Sequence, residues 1–222
     1  MEYFLQENPN NNTLIVLFHG TGGNQYQLLP FSSILNPEAN VLGLQGSVGE
    51  GQERRFFAPL QNNTLERHDF EQQTKSFIDF WNTFIEEHDY EEVIFLGYSN
   101  GANFILGLLE QHLIKVDQIL LLHPSDLDYH ITETYKETSV IITTGSNDYL
   151  TIPGKVKALS EQLKPLFKNV QFELLDGAHE LEETEIEHIK TMLYFNFLEH
   201  RFLYQYSYYL HLFQNHPKLI NQ

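Results

Sequence analysis

The feature that most constrains the fold is the pentapeptide Gly97-Tyr98-Ser99-Asn100-Gly101, which lies between two apolar segments. The run Val93–Leu96 before it is typical of a buried strand, and Phe104–Leu106 after it begins a helical pattern. A direct turn from strand to helix strains the backbone of the central serine, and glycine neighbours let the strand and helix pack closely around it. The pattern therefore predicts a Ser99 hydroxyl exposed above a sheet, at the start of a helix.

A serine in this position needs two partners, because its hydroxyl is a poor nucleophile without a base and the base needs an acid to orient it. The β-branched run 140–144 leads into a loop that contains Asp148, and the run 170–175 leads into a loop that contains His179. Functional residues of open α/β sheets gather at the carboxyl ends of the strands. We therefore expect Ser99, Asp148 and His179 to meet there as nucleophile, acid and base.

The choice of acid leaves alternatives. Asp117, Asp126 and Asp128 also lie between the serine and the histidine along the chain. Asp148 is favoured because it directly follows a predicted buried strand, and Asp126 or Asp128 is the alternative.

A glycine-rich segment near the N-terminus predicts where negative charge is stabilised. The apolar strand Leu14–Phe18 runs into His19-Gly20-Thr21-Gly22-Gly23. In hydrolases with a Gly-x-Ser-x-Gly turn, one backbone N–H of such a loop and the N–H after the nucleophile form an oxyanion hole. We therefore expect the N–H groups of Thr21 and Asn100 to have this role, and His19 to form structural hydrogen bonds.

Taken together, these motifs resemble the phospholipase/carboxylesterase family of the α/β-hydrolases, and within it small bacterial carboxylesterases associated with hydroquinone and quinone stress. The resemblance covers roughly Leu14 to Leu193 and is carried by Leu17–Asn24, Val41–Gly46, Arg55–Phe57, Leu96–Asn103, His123-Pro124 and Gly177–Glu180. It implies an α/β-hydrolase fold and an esterase that uses Ser99 as nucleophile, His179 as base and Asp148 as acid.

The chain departs from the family pattern at two places that border the expected acyl pocket. Ser125–Asp128 stands after His123-Pro124 where relatives continue with an apolar segment. Gly49-Glu50-Gly51 replaces the usual Glu-Asn-Gly of the loop after Gly46. Of the family's properties, substrate preference is therefore the one that the resemblance predicts least well for this chain.

The alternation of strand and helix patterns predicts an α/β class fold, with a mostly parallel sheet and helices on both faces. We expect one domain over 1–222, with a core of about 13–194 and an aromatic C-terminal extension, 195–222. A short edge strand is predicted within 1–8, further strands near 13–18, 39–44, 92–97, 118–123, 139–144 and 170–175, and helices near 25–35, 69–88, 100–113, 154–167 and 181–200.

Three segments lie outside this alternation. The polar stretch 47–68 is expected to line the mouth of the pocket, and the short insertion 124–137 predicts a minimal cap. The extension 195–222 is rich in aromatic residues, which could pack on the body of the protein, form a homo-oligomer contact or lie on a lipid surface.

Composition excludes several classes of function. With 30 acidic and 13 basic residues and a net charge of −17, the chain lacks the clustered cations that nucleic-acid binding requires. The absence of cysteine excludes disulfides and a cysteine nucleophile. No His-Glu-x-x-His or P-loop motif is present, so neither a metal nor a nucleotide cofactor is expected. No signal peptide or membrane-spanning run is visible, which favours a cytoplasmic location.

The sequence thus predicts a serine carboxylesterase that hydrolyses short-to-medium acyl esters, its small-molecule substrates, through an acyl-serine intermediate. An acyl-protein thioesterase or lysophospholipase would use the same three residues, and so would a lyase or cofactor-free haloperoxidase. From a different class, a binding or scaffolding protein could also keep the hydrolase fold.

Overall fold

A seven-stranded sheet forms the centre of the protein, which a computed structural model describes over residues 1–112 and 115–194. The spatial order of the strands is β1-β3-β2-β4-β5-β6-β7, and every neighbouring pair is parallel except β1 with β3. The strands are β1 (Tyr3–Gln6), β2 (Thr13–Phe18), β3 (Asn40–Leu44), β4 (Glu92–Tyr98), β5 (Gln118–Leu122), β6 (Tyr135–Gly145) and β7 (Phe167–Leu175). The predicted α/β class, the mostly parallel sheet and the short edge strand near the N-terminus are confirmed.

Helices cover both faces of this sheet. They are α1 (Leu29–Leu35), α2 (Arg67–Glu86), α3 (Asn100–Glu110) and α4 (Pro153–Leu163), and residues 183–194 are also helical. None of the helices in the described ranges is both long enough and apolar enough to cross a bilayer.

Alternating side chains of the strands separate the core into two layers, because successive residues of a strand point to opposite faces. In β2, Leu14, Val16 and Phe18 pack in a layer with residues of α2, α3 and α4. Ile15 and Leu17 pack in the opposite layer, which also contains Ile186 and Ile189 of the last helical stretch. A sheet buried on both faces explains why its central strands are nearly continuous apolar runs.

Several element boundaries differ from the sequence prediction, among them the start of the first helix, which is Leu29 where residue 25 was predicted. The last strand begins at Phe167 and the helix before it ends at Leu163, although a helix was predicted to 167. The preceding strand begins at Tyr135, within the predicted insertion. The rings of Tyr135 and Phe167 stack with centroids 5.1 Å apart, and the Tyr135 N–H donates to the Leu166 carbonyl at 2.6 Å. This long-range pairing extends both strands through a polar sequence that resembles a loop.

The segments predicted to be irregular are mostly so. Residues 47–66 contain one turn of 3-10 helix at Gly51–Glu53, and residues 123–134 form neither helix nor strand. The latter is compatible with a minimal cap. The aromatic extension 195–222 lies outside the described residues, so the predictions about its packing and its role in assembly stay predictions.

Candidate active site

The backbone at Ser99 has the strained turn that the glycine pattern predicts. Ser99 lies between β4 and α3 with φ 51° and ψ −109°, a region that non-glycine residues rarely occupy. Its N–H donates to the carbonyl of Leu122, the last residue of the neighbouring strand, at 2.8 Å. The side chain is half-buried and stands at the carboxyl end of the sheet.

Gly101 allows this turn to pack against the neighbouring strand end. A Cβ at Gly101 would lie 2.0 Å from the Phe18 carbonyl oxygen and 2.7 Å from that of His19. Both obstructing atoms belong to the backbone and cannot rotate away. The glycine therefore brings the start of α3 against the end of β2, where the glycine-rich loop begins.

Replacement of Gly101 by alanine is expected to prevent stable folding, since the methyl group would overlap the backbone of β2. We expect a loss in free energy of unfolding of about 3 kcal/mol or more, measured by urea denaturation. Gly154→Ala is the matched control, because no atom lies within 4 Å of a Cβ at Gly154. That control should be stabilising by about 0.4–1 kcal/mol. Equal unfolding midpoints for Gly101→Ala and wild type would contradict the packing argument.

Ser99, His179 and Asp148 form one continuous chain of hydrogen bonds. The His179 Nε2 lies 2.9 Å from the Ser99 Oγ, and the His179 Nδ1 lies 2.8 Å from the Asp148 Oδ2. The Asp148 side chain is fully buried, while that of His179 is 13% exposed. An imidazole oriented in this way can accept the hydroxyl proton at Nε2 while Nδ1–H stays on the carboxylate.

The carboxylate of Asp148 accepts hydrogen bonds from all sides. Its Oδ1 accepts the N–H groups of Leu150 and Thr151, both at 2.9 Å, and its Oδ2 accepts the Thr151 hydroxyl at 2.6 Å in addition to His179. Burial alone would raise the pKa of Asp148, but the hydrogen bonds from Thr151, His123 and His179 outweigh it and hold the pKa far below its ordinary value. At neutral pH the group is therefore an anion next to His179.

The loops that carry the acid and the base are tied together. The N–H groups of Ser146 and Asn147 donate to the carbonyls of Leu175 and Gly177, at 2.7 Å and 2.8 Å. The Tyr98 hydroxyl, next to Ser99 in sequence, donates to the His179 carbonyl at 2.9 Å. Burial and the nearby Glu180, Asp148 and Glu185 raise the pKa of this hydroxyl to about 12, so it remains a donor.

The residues predicted for the oxyanion hole lie on segments that are in contact. Gly101 brings the Asn100 turn against the end of β2, and the Asn100 Oδ1 accepts the N–H of Phe56 at 2.8 Å. Neither the Thr21 N–H nor the Asn100 N–H donates to a backbone carbonyl in the part of the chain that the structure describes. The role of these two amides in binding an oxyanion stays a prediction.

His19 supports the glycine-rich loop, in agreement with the hydrogen-bonding role expected for it. Its Nδ1 donates to the Gly20 carbonyl at 2.6 Å, and its Nε2 accepts the Gly46 N–H at 2.9 Å. Burial lowers the pKa of His19 to about 4, with a smaller opposing effect from the Gly20 carbonyl. The imidazole is therefore neutral, as this pair of hydrogen bonds requires.

Within the described residues, none of Asp117, Asp126 and Asp128 forms a hydrogen bond or ion pair with His179, whose carboxylate partner is Asp148. The Asp117 Oδ2 accepts the Val93 N–H at 2.8 Å, and the Asp126 Oδ1 accepts the Asp128 N–H at 3.3 Å. Asp148 is therefore the aspartate that the fold brings to the histidine.

Two residues at this site had no role assigned from sequence. His123, part of the His123-Pro124 motif, is buried with its Nδ1 2.9 Å from the Asp148 Oδ2. Its Nε2 lies 3.2 Å from an oxygen of Glu185, which is also buried. The acidic run Glu182-Glu183-Thr184-Glu185 resembles the solvent-exposed start of a helix. Nothing in this sequence distinguishes Glu185 from the exposed glutamates beside it.

One cluster of side chains at this site has the composition of a metal site. Ligand atoms of His123, Asp148 and His179 lie within 4.8 Å of one another. The same atoms already form the hydrogen bonds described above, and a metal ion would have to displace both imidazole protons that Asp148 accepts. These hydrogen bonds account for the cluster without a metal ion.

No family model matches the chain. Comparison with individual proteins and solved structures does identify relatives that are similar over most of its length. The chain is 30% identical over 190 residues to MhqD of Bacillus subtilis (strain 168), which is named as a hydrolase, and the match covers 84% of this chain and 94% of MhqD. It is similar to the crystal structure of a Bacillus cereus carboxylesterase, with a TM-score of 0.78, 28% identity and coverage of 86% and 92%. Atu2452 of Agrobacterium tumefaciens, a protein of unknown function, gives a TM-score of 0.77, 31% identity and coverage of 86% and 94%.

Proposed function

Because the chain belongs to the phospholipase/carboxylesterase family of α/β-hydrolases, we propose that it is a serine carboxylesterase that uses Ser99, His179 and Asp148. The observation that carries this proposal is the unbroken hydrogen-bonded chain from the Ser99 Oγ to the buried Asp148 carboxylate. A nucleophile, a base and an orienting acid in this geometry are what acyl transfer requires.

In the proposed mechanism, His179 accepts the Ser99 proton as the Ser99 Oγ attacks the ester carbonyl carbon. The N–H groups of Thr21 and Asn100 stabilise the oxyanion of the tetrahedral intermediate, each worth about 100- to 1,000-fold in kcat. His179 then donates the proton to the departing alkoxide, which leaves as an alcohol. Water, deprotonated by His179, attacks the acyl-serine and releases the carboxylic acid. Throughout, Asp148 stays ionised and fixes the tautomer of His179.

Two observations favour short-to-medium acyl esters with neutral leaving groups. Residues 123–134, where a cap could stand, form no helix or strand that could enclose a long chain. The cavity beside the site is acidic, with Asp176, Glu180 and Glu182 in its lining, and the chain as a whole carries a charge of −17. The acidic lining and the net negative charge both disfavour an anionic substrate, because the local and the long-range electrostatic fields repel it.

A second candidate, hydrolysis of longer acyl chains or thioesters, is favoured by apolar residues beside the acid. Tyr149, Leu150 and Ile152 lie within four residues after Asp148 and are 79%, 60% and 53% exposed. Exposed apolar residues grouped beside a site can bind the apolar part of a ligand.

A series of p-nitrophenyl esters separates the two candidates. We expect kcat/KM to be higher for the acetate and butyrate than for the octanoate, by about tenfold or more for each methylene group that the site cannot accept. A preference for the octanoate would support the second candidate. If the purified protein hydrolysed none of the three esters, the proposed function itself would be wrong.

A further inference from the structure

His123 has an unusual backbone that parallels that of Ser99. The two residues directly follow the paired strands β5 and β4, where Leu122 is in register with Tyr98. His123 has a φ of 52° and Ser99 a φ of 51°, both in the left-handed region. Such strain costs about 1–3 kcal/mol and persists where the surrounding structure enforces it. The fold thus strains two adjacent strand ends, one at Ser99 and one at this histidine.

The hydrogen bonds of His123 define its protonation. The residue is 2% exposed, and each ring nitrogen faces a carboxylate, with Nδ1 2.9 Å from the Asp148 Oδ2 and Nε2 3.2 Å from the Glu185 Oε2. A neutral imidazole carries one N–H and would turn a lone pair towards one of the two carboxylates. The imidazolium satisfies both, and, since Asp148 is ionised, the alternative that also does so is a protonated Glu185 that donates to Nε2.

Glu185 is positioned to hold that charge. It is 6% exposed and lies next to Ile186, which is fully buried in the core. Its second oxygen, Oε1, has no hydrogen-bond partner among the described residues. Among the described residues, the one hydrogen bond of the Glu185 carboxylate is therefore that to His123, and a positive charge on His123 would compensate for the burial of this carboxylate.

We propose that His123 is a positioning residue, an imidazolium that Glu185 keeps charged and that holds Asp148 in the orientation His179 requires. The proposal rests on the proposed function, because it concerns the acid of the same site. His123 and His179 donate to the same oxygen of Asp148 from two directions, so that the carboxylate cannot rotate without losing one of them. The positive charge also reduces the negative field that Asp148 exerts on His179.

The charges around His123 support this assignment. Burial lowers the pKa of His123, but the hydrogen bonds and charges of Glu185 and Asp148 outweigh it and leave the pKa above its ordinary value of 6.5. The rings of Tyr98 and His179 lie 6.0 Å and 5.3 Å from that of His123. A cavity of about 240 Å³ on the same side is lined by His123, Glu185, His188, Asp176, Glu180 and Glu182. This acidic surrounding favours the imidazolium.

The first test is the protonation state of His123, measured by nitrogen NMR of the imidazole in the wild-type protein. We expect both ring nitrogens to be protonated at pH 7. In Glu185→Gln the imidazole should lose its second proton at lower pH than in wild type, because the amide supplies no negative charge and can donate to Nε2. A neutral His123 in wild-type protein at pH 7 would overturn the proposal and would place the proton on Glu185.

The second test is the kinetics of His123→Asn with p-nitrophenyl acetate. Asparagine tolerates the left-handed backbone and keeps a donor for Asp148, but it carries no charge. We expect kcat to fall about 10- to 100-fold, the range that a small misplacement of a reacting group causes, with KM unchanged. The acidic limb of the kcat/KM profile should move to higher pH, because Asp148 without a cationic neighbour stabilises protonated His179 more strongly.

Two further variants separate positioning from folding. His188→Asn changes a histidine that lines the same cavity and pairs with Glu173, so its kcat and pH profile should match wild type. In His123→Asn combined with Glu185→Gln, no unpaired carboxylate is buried. This double variant should recover stability without recovering kcat. A folded His123→Asn protein with wild-type kcat and pH profile would overturn the proposal. If wild type hydrolysed no ester, the proposed function would fail, while the NMR test of His123 would still stand.

Discussion

Replacing Ser99 with alanine is expected to lower kcat for p-nitrophenyl acetate about 10⁶-fold, as removal of a serine nucleophile does in other serine hydrolases. The reason is that no acyl-enzyme can form, while the oxyanion donors and the binding surface remain. The strained backbone at Ser99 has a φ of 51°, which alanine tolerates no better than serine. The fold should therefore be retained, with any change in stability small relative to the change in rate.

The measurement is the initial rate of p-nitrophenolate release, corrected for spontaneous hydrolysis, together with the urea unfolding midpoint. Ser99→Ala combined with His179→Ala should be no slower than Ser99→Ala alone, because the two residues act as one unit. If Ser99→Ala hydrolysed the ester at the wild-type rate, acyl transfer would not pass through this serine.

Asp148→Asn is expected to lower kcat about 10⁴-fold, because an amide cannot fix the required tautomer of His179. The wild-type carboxylate accepts five hydrogen bonds, from two backbone N–H groups, one hydroxyl and two histidines. Either orientation of an asparagine amide would turn N–H groups towards some of these donors. We therefore also expect a loss of about 3–5 kcal/mol in the free energy of unfolding, as for a broken buried ion pair.

This variant should change the pH dependence of stability as well. The folded protein holds the pKa of Asp148 below its ordinary value of 3.8. The resulting stabilisation is present above about pH 4 and is lost as the pH falls further. As the pH is lowered below 4, the urea concentration at the unfolding midpoint should therefore decrease more steeply for wild type than for Asp148→Asn.

Asp126→Asn is the matched control for this prediction, since Asp126 is another acid in the same stretch of chain but contacts Asp128 instead of His179. Its unfolding midpoint should equal that of wild type, and any change in kcat from its place at the border of the expected acyl pocket should be far smaller than the loss of about 10⁴-fold expected for Asp148→Asn. If Asp126→Asn lost activity while Asp148→Asn kept it, the assignment of the acid would be wrong.

The parts of the site that are local in sequence could be predicted. The segment Gly97–Gly101 determines the position of the serine locally, because a strand, a strained turn and a helix within a few residues leave one arrangement for Ser99. Asp148 and His179 could be placed because each follows a strand, and parallel strands end at one edge of the sheet. The predicted elements therefore located these residues without any knowledge of their contacts.

The environment of the acid could not be predicted, because it depends on contacts between distant segments. Glu185 lies 62 residues from His123 along the chain, and the acidic sequence around it is typical of solvent-exposed helix starts. Its burial follows from Ile186 and Ile189, which hold that helix against the sheet. The start of β6 at Tyr135 was missed for a related reason, since the stacking partner Phe167 lies on another strand.

The order of the strands places the base at the margin of the sheet and the nucleophile at its centre. Ser99 follows β4, in the middle of the sheet, whereas Asp148 and His179 follow β6 and β7, and β7 has a neighbour on one side only. Opening β7 would break its hydrogen bonds to one neighbouring strand, whereas opening β4 would break those to two. The hydrogen bond from the Tyr98 hydroxyl to the His179 carbonyl therefore links the central strand β4 to the loop that follows the outermost strand β7. Fraying of that margin would disconnect the histidine from the serine while most of the sheet remained intact.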